Sequence, residues 1–285
     1  MTYSATDLIK LNNLPLAGRL VSDELGLGIH ASRRAGAGVE FEQYRAYQPG
    51  DDPKRIDWRM LARTDRYLVR ESSTESHRNL RFLLDLSGSM NYAERGVTRL
   101  DYAKIALASL AYIGHRQGDS MSLYGLKNGA VVPLVAPGGR FQAILYALET
   151  AEASGTWFAE KPALPDFQAN QRDLLVFVSD LLQVGEEWLA LVQALAGPRR
   201  EIWLLQLLGD QETDFSLTGF YRFQDLETGR EVEVQAEAVR ERVRQGMATY
   251  LAELDEALRL PHVRLVRASL SEAPALVLNQ FLQPR

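Results

Sequence analysis

Short apolar runs alternate with longer amphipathic segments from about residue 80 to the end of the chain. The runs LRFLL (residues 80–84), DLLVFVS (173–179) and EIWLLQL (201–207) have the length of buried strands. Between the first two, apolar residues recur at helical spacing, at Leu100, Ala103, Leu107 and Leu110. Apolar strands that alternate with helices are typical of a parallel sheet covered on both faces. The pattern therefore predicts an α/β domain over residues 79–285, with a mostly parallel sheet and helices on both faces.

Two stretches depart from this alternation. Asn128-Gly129 is a strong hairpin-turn signal and predicts that the strands on either side pair antiparallel. A second β-hairpin is expected as an excursion at the sheet edge at about residues 215–235, around the turn Glu227-Thr228-Gly229-Arg230. Residues 1–78 lack the alternation and are rich in arginine and glycine, so they predict a smaller N-terminal subdomain of mixed α/β character with a helix near residues 1–14 and a strand near 39–47.

The composition narrows the kinds of ligand and metal ion that the chain could bind. The 285 residues are 46% hydrophobic and 24% charged with a net charge of -5, which does not favour nucleic-acid binding. Without cysteine, and with four scattered histidines, the chain has no thiolate zinc site, and any metal should be a hard cation with oxygen ligands. No run approaches the about 18 apolar residues of a membrane span, and no leader pattern begins the chain, so we expect a cytoplasmic protein.

Polar side chains follow two of the predicted strands. Asp85, Ser87 and Ser89 come directly after the first strand, and Asp180 follows the strand that ends at residue 179. Open α/β folds bind ligands at the carboxyl edge of the sheet, where these side chains would meet. One or two carboxylates with two hydroxyls suit Mg²⁺, so these four residues are the predicted metal ligands. The alternative is that Asp85 caps a turn and the serines are solvated.

With its flanking strand and helix, the Asp85–Ser89 segment resembles the Asp-x-Ser-x-Ser loop of von Willebrand factor type A domains. The resemblance implies a metal-ion-dependent adhesion site in which Ser87 and Ser89 ligate the ion directly, Asp85 and Asp180 act largely through water, and a partner's carboxylate fills the open position. The family also uses a threonine, commonly after a glycine pair. Here Arg140 follows Gly138-Gly139, so Arg140 is expected to weaken or modify the site.

The N-terminal part resembles the bacterial "domain of unknown function 58" family, which couples such a stretch to a von Willebrand A-like domain. The resemblance covers about residues 26–270, and the segments that carry it are HASRRAGAG, EF, YRAY, PGDD, RIDW, ART and VRE, in that order between His30 and Glu71. Members are commonly associated with MoxR-type AAA+ ATPases. The resemblance therefore implies an adaptor that acts with such an ATPase, or with its client, in chaperone-like assembly or regulation.

Three alternatives remain beside this interpretation. Ser32, Arg33 and Arg34, with nearby glycines, are either an anion-binding loop or a solvated basic turn. The predicted ion could serve as Lewis acid in a hydrolase acting on phosphorylated substrates, although the chain offers no nucleophile motif and has Ser87 where an aspartyl phosphatase needs a second aspartate. The site could also be empty in a scaffold where Arg140 pairs with Asp85 or Asp180. We expect a protein that is not an enzyme.

Overall fold

The computed structural model describes residues 2–35, 43–47, 61, 63, 66–71, 79–157, 173–182, 187–197 and 199–283. The chain divides into two compact units, Met1–Leu27 with Arg78–Arg285, and Gly28–His77. The smaller unit contains strands β1 (Gln43–Ala46) and β2 (Leu68–Glu71), which pair antiparallel. The sequence placed the boundary between residues 78 and 79, whereas in the structure the first 27 residues belong to the larger unit.

The larger unit is built on a six-stranded sheet. Its strands are β3 (Asn79–Asp85), β6 (Ser120–Lys127), β7 (Ala130–Gly139), β8 (Asp173–Ser179), β9 (Arg200–Leu208) and β12 (Val263–Ser269). Their order is β12-β9-β8-β3-β6-β7, and every neighbouring pair is parallel except β6 and β7. The antiparallel pair turns at Asn128 and Gly129, both with positive φ, as the Asn-Gly signal predicts.

The remaining elements are helices and two small hairpins. The helices are α1 (Ala5–Lys10), α2 (Leu14–Ala35), α3 (Arg99–Gln117), α4 (Phe141–Thr150), α5 (Glu187–Leu195), α6 (Asp210–Asp214), α7 (Ala236–Ala257) and α8 (Pro274–Leu282). The hairpins are β4 (Ala93–Glu94) with β5 (Val97–Thr98), and β10 (Phe220–Gln224) with β11 (Glu231–Gln235). The second hairpin lies where an excursion was predicted, but it forms a separate two-stranded sheet instead of extending the main one.

Alternate side chains of the strands feed two apolar cores, one on each face of the sheet. Phe82 and Leu84 belong to the core that also contains residues of α1, α2, α3, α4 and α8. Leu83 points to the other face and packs with residues of α5 and α7. The prediction of a mostly parallel sheet with helices on both faces is therefore confirmed. None of the helices among the described residues is long and apolar enough to span a membrane.

The first 27 residues join the larger unit because they bury apolar side chains in its core. Leu8 of α1 and Val21 and Leu25 of α2 are at most 2% exposed. Gly18 lies so close to α3 that an added Cβ would come 2.7 Å from the Cβ of Ala108. The sequence predicted one helix over residues 1–14, but Asn12 has a positive φ and the Asn13 side chain accepts a hydrogen bond from the Leu16 amide, so a second helix begins there.

A substitution pair tests this packing. Leu8→Ala should lower the free energy of unfolding by about 2–5 kcal/mol, because it leaves a cavity in the core. Leu11→Ala, at the end of the same helix but 41% exposed, should change it by less than about 0.5 kcal/mol. Denaturant unfolding of both variants measures the difference. Equal effects would show that α1 is not part of this core.

Candidate metal site at the carboxyl edge of the sheet

Two aspartates meet at the carboxyl edge because their strands are parallel neighbours. Asp85 is the last residue of β3 and Asp180 directly follows β8, which pairs with β3. Both aspartates are at most 1% exposed. The structure thus brings together the two carboxylates that the sequence placed at one edge.

Asp85 is held by hydrogen bonds to both of its carboxylate oxygens. Oδ1 accepts from the Ser87 amide at 2.8 Å, and Oδ2 accepts from the Ser179 hydroxyl at 2.6 Å. Burial nevertheless raises the pKa of the Asp85 carboxyl to about 7, and the negative charge of Asp180 adds to the rise, although the hydrogen bonds from Ser179 and Ser87 lower it. A cation at this edge would therefore stabilise the ionised form of Asp85.

The two serine hydroxyls are spaced as ligands of one ion. Ser87 precedes a short 3-10 helix, Gly88–Asn91, and this turn brings the Ser87 and Ser89 Oγ atoms within 3.0 Å of each other. Neighbouring ligands of an octahedral Mg²⁺, each about 2.0–2.1 Å from the metal, also lie about 3 Å apart. The donor set therefore fits a hard divalent cation. When bound, such an ion supplies a positive charge and a coordination position for an external oxygen.

Among the described residues, no group of three or more histidine, cysteine, aspartate or glutamate side chains could hold a metal. An ion at this edge would therefore depend on hydroxyl ligands and water as well as on carboxylates. Ser87 is fully buried and Ser89 is partly exposed, so an ion held between them would be open on one side only.

Sequence reasoning missed a buried guanidinium at the site. Arg99, the first residue of α3, is 2% exposed, and its Nη1 donates to Asp180 Oδ2 at 2.7 Å and to the Ser89 carbonyl oxygen at 2.9 Å. Its Nη2 pairs with both carboxylate oxygens of Glu212 in α6. Arg99 therefore compensates the charge of Asp180 and fixes the loop that carries Ser89. The sequence indicates Thr98 as the N-cap of α3 and so places Arg99 in the first turn, but no local pattern pairs Arg99 with Asp180 or Glu212.

Arg140 does not lie at the site, which corrects the prediction that it modifies metal binding. In the register of β6, Asp85 is opposite Leu126, whereas Gly139 of β7 is opposite Met121. Five residues of strand separate these positions by about 16 Å. Gly138, Gly139 and the exposed Arg140 thus lie toward the opposite edge of the sheet, and the scaffold in which Arg140 pairs with Asp85 or Asp180 is not formed.

A threonine of a different loop lines the cavity next to the site. The Ser154 amide donates to the Leu86 carbonyl at 2.8 Å, and the Gly155 carbonyl accepts from the Gly88 amide at 2.9 Å. These bonds join the loop to the Asp85–Ser89 segment, and Thr156 lines the same cavity of about 1050 Å³ as Ser89 and Asp180. The signal in the sequence is the dipeptide Gly155-Thr156, a second glycine-led segment beside Gly138-Gly139.

The predicted anion-binding loop is also corrected in part. Ser32, Arg33 and Arg34 form part of the last turns of α2, where amide groups bond to carbonyls of the preceding turn. Their backbone donors are therefore not offered to an anion. The side chains of these residues, and Gly36 and Gly38, lie outside what the structure describes.

The protein is a mostly parallel α/β domain with a cluster of carboxylate and hydroxyl side chains at the carboxyl edge of its sheet. Residues 43–253 match the family model described as "Protein of unknown function DUF58", so the chain belongs to this family and the family predicted from the sequence is confirmed. Relatives include the uncharacterised proteins Rv1480 of Mycobacterium tuberculosis (strain ATCC 25618 / H37Rv) and Mb1516 of Mycobacterium bovis. Each is 25% identical over 258 residues, 87% of this chain and 80% of the relative.

Solved structures similar to this chain include von Willebrand A domains. The conserved hypothetical protein BatB from Bacteroides thetaiotaomicron is 15% identical over 72% of this chain and 97% of its own, with a TM-score of 0.45. The SpRpn10 VWA domain is 13% identical over 71% and 94%, with a TM-score of 0.44. A von Willebrand factor type A protein from Catenulispora acidiphila is 13% identical over 60% and 43%, with a TM-score of 0.31. These similarities concern the fold alone.

Removing the buried guanidinium of Arg99 should lower the free energy of unfolding. Arg99→Met removes a guanidinium that is bonded to the buried Asp180 carboxylate and should destabilise the protein by about 3–5 kcal/mol. Arg95→Met removes a guanidinium that is 67% exposed and pairs with Asp210 at 3.4 Å, so it should cost less than about 1 kcal/mol. Chemical denaturation of both variants gives the two values, and similar small losses would contradict the proposed role of Arg99.

Proposed function

We propose that the domain is a non-enzymatic interaction module that binds a carboxylate of a partner protein through a Mg²⁺ ion held by Ser87, Ser89, Asp85 and Asp180. The observation that carries the proposal is the convergence of two buried aspartates and two hydroxyls on one edge of the sheet. Thr156 lines the same cavity as Ser89 and Asp180.

The charge balance of the site supports a divalent cation. Two buried carboxylates, Asp85 and Asp180, lie at this edge, and the Arg99 guanidinium that bonds to Asp180 is shared with Glu212. Among the described residues, no lysine or arginine forms an ion pair with Asp85. A divalent ion would supply positive charge beside Asp85, and an incoming carboxylate could then approach with less repulsion.

Enzymatic hydrolysis is the alternative with the same ion. It requires a nucleophile beside a base, and the histidines whose side chains the structure describes lie elsewhere. His115 stacks on Phe141 with ring centroids 4.5 Å apart, and His262 occupies a turn before β12. Because no histidine lines the cavity among the described residues, we favour binding over hydrolysis.

The partner to test first follows from the family resemblance. Since "domain of unknown function 58" proteins are commonly associated with MoxR-type AAA+ ATPases, we propose that such an ATPase or its client supplies the carboxylate. The module would then act in chaperone-like assembly or regulation.

Metal binding can be measured directly. Asp85→Asn should weaken Mg²⁺ binding by about 100-fold or more, because it removes a charge that faces the ion. Asp255→Asn is the matched control, since Asp255 is an exposed carboxylate paired with Arg267, and its Mg²⁺ affinity should equal that of the wild type. Isothermal titration calorimetry on samples with matching circular dichroism spectra separates these outcomes. Equal Mg²⁺ affinity in all three proteins would contradict an ion at this edge.

Partner capture tests the interaction itself. A MoxR-type ATPase from the same organism should be retained by the immobilised wild-type protein in Mg²⁺, and should be lost in EDTA or with Asp85→Ala. The Asp255→Asn protein should retain it. If the ATPase is retained equally well in EDTA and by Asp85→Ala, the metal-dependent mechanism is excluded.

A further inference from the structure

The tip of the β10–β11 hairpin, residues 225–230, lies on the two loops that flank the candidate ion position. The carbonyl oxygen of Leu226 sits against Gly88, where an added Cβ would collide with it. The carboxylate of Glu227 accepts a hydrogen bond from the Trp157 amide at 3.0 Å. One loop carries Ser87 and Ser89 and the other carries Thr156, so the tip contacts both loops.

The tip is built to hold Glu227 in place. Asp225 Oδ1 accepts from the Glu227 and Thr228 amides at 2.8 Å each, and these bonds lower the pKa of the Asp225 carboxyl. Gly229 closes the turn with φ of 72° and donates to the Asp225 carbonyl. A turn fixed by its own hydrogen bonds presents the next side chain in a defined direction. Here that side chain is the carboxylate of Glu227.

The strands behind the tip have little apolar anchoring of their own. Phe220 is 85% exposed and Val232 is 58% exposed, while Phe223 stacks on Phe215 at a centroid distance of 5.9 Å. The contacts of the tip with Gly88 and Trp157 therefore add to the anchoring that the Phe223–Phe215 stack and the start of α7 provide. A hairpin with few buried contacts opens at a low free-energy cost.

The tip and the predicted ligands face one another across a single cavity. The cavity of about 1050 Å³ is lined by Ser89, Thr156 and Asp180 on the side of the sheet and by Leu226 and Glu227 on the side of the hairpin. Since a partner's carboxylate would enter the same space, Glu227 already provides a carboxylate of the required chemistry within the chain.

We infer that Glu227 is an intramolecular carboxylate ligand, directly or through water, of the ion proposed above, and that a partner's acidic residue binds by displacing the hairpin tip. The inference rests on the proposed function, because it requires an ion at the Asp85 edge. It adds that the free protein is self-capped, so partner binding is a competition between two carboxylates for one coordination position.

The test uses Tb³⁺ as a luminescent probe ion and Mg²⁺ as its competitor. Trp157, whose indole is 5% exposed, adjoins Thr156 and would sensitise Tb³⁺ at this site, and Trp157→Phe should remove that emission. Glu227→Gln should weaken Mg²⁺ competition by about tenfold or more, as expected for a lost supporting ligand. Glu231→Gln is the matched control, because Glu231 lies on the same hairpin and pairs with the exposed Arg222; its Mg²⁺ affinity should equal that of the wild type.

Limited trypsin digestion supplies a second readout. Mg²⁺ should slow cleavage after Arg230, at the hairpin tip, in the wild type and in Glu231→Gln, because the ion ties the tip to the sheet edge. It should leave cleavage of Glu227→Gln unchanged. The wild type and Glu227→Gln could bind Mg²⁺ equally well, and Mg²⁺ could leave the rate of cleavage unchanged in every protein. In that case self-capping is wrong and the proposed function stands. If the wild type and Asp85→Asn are alike in binding no ion, both ideas are overturned.

Discussion

Two carboxylates buried at the ends of neighbouring parallel strands impose the constraint around which this edge of the molecule is organised. Removing an ionised carboxylate from water costs several kcal/mol unless positive charge or hydrogen bonds compensate it. Asp180 is compensated by Arg99, which is itself bonded to Glu212 and to the Ser89 carbonyl. One guanidinium thus links β8, the Asp85–Ser89 loop and α6. The geometry of the predicted ligands depends on this internal ion pair.

The surroundings of Asp85 differ from those of Asp180. It accepts two hydrogen bonds but forms no ion pair with a described lysine or arginine, and burial raises its pKa to about 7. A buried carboxyl of this kind is either protonated or joined by a cation. The adjacent hydroxyls of Ser87 and Ser89 provide a place for a cation beside the cavity that Ser89 lines, and Glu227 lines that cavity from the hairpin side. In this account, binding a partner means exchanging an internal carboxylate for an external one.

The features that the sequence could predict are those set by local pattern. Apolar runs placed Asp85 and Asp180 at strand ends, and a parallel sheet necessarily brings neighbouring strand ends together. Asn128-Gly129 likewise predicted the one antiparallel turn of the main sheet. These conclusions needed only strand periodicity and turn chemistry.

The features that it could not predict depend on register and on distant packing. Gly138-Gly139 resembled the glycine pair of a metal loop, but the register of β7 carries it toward the far edge of the sheet. In the sequence, Arg99 is a residue of a first helical turn, and only the fold places Asp180 and Glu212 beside it. The loop of Gly155-Thr156 lies beside the Asp85–Ser89 segment because Gly155 and Ser154 bond to the loop after β3. Partners separated by more than 50 residues of chain leave no local signature.

The most direct test of the central claim is a crystal structure of the protein grown with Mn²⁺, which accepts the same hard oxygen ligands as Mg²⁺ and scatters anomalously. The account predicts an anomalous peak between the Ser87 and Ser89 hydroxyl oxygens, at metal–oxygen distances of about 2.0–2.3 Å, on the Asp85 side of the cavity. The contrary result would be no peak at this edge at saturating Mn²⁺, with the two hydroxyls still hydrogen-bonded to each other.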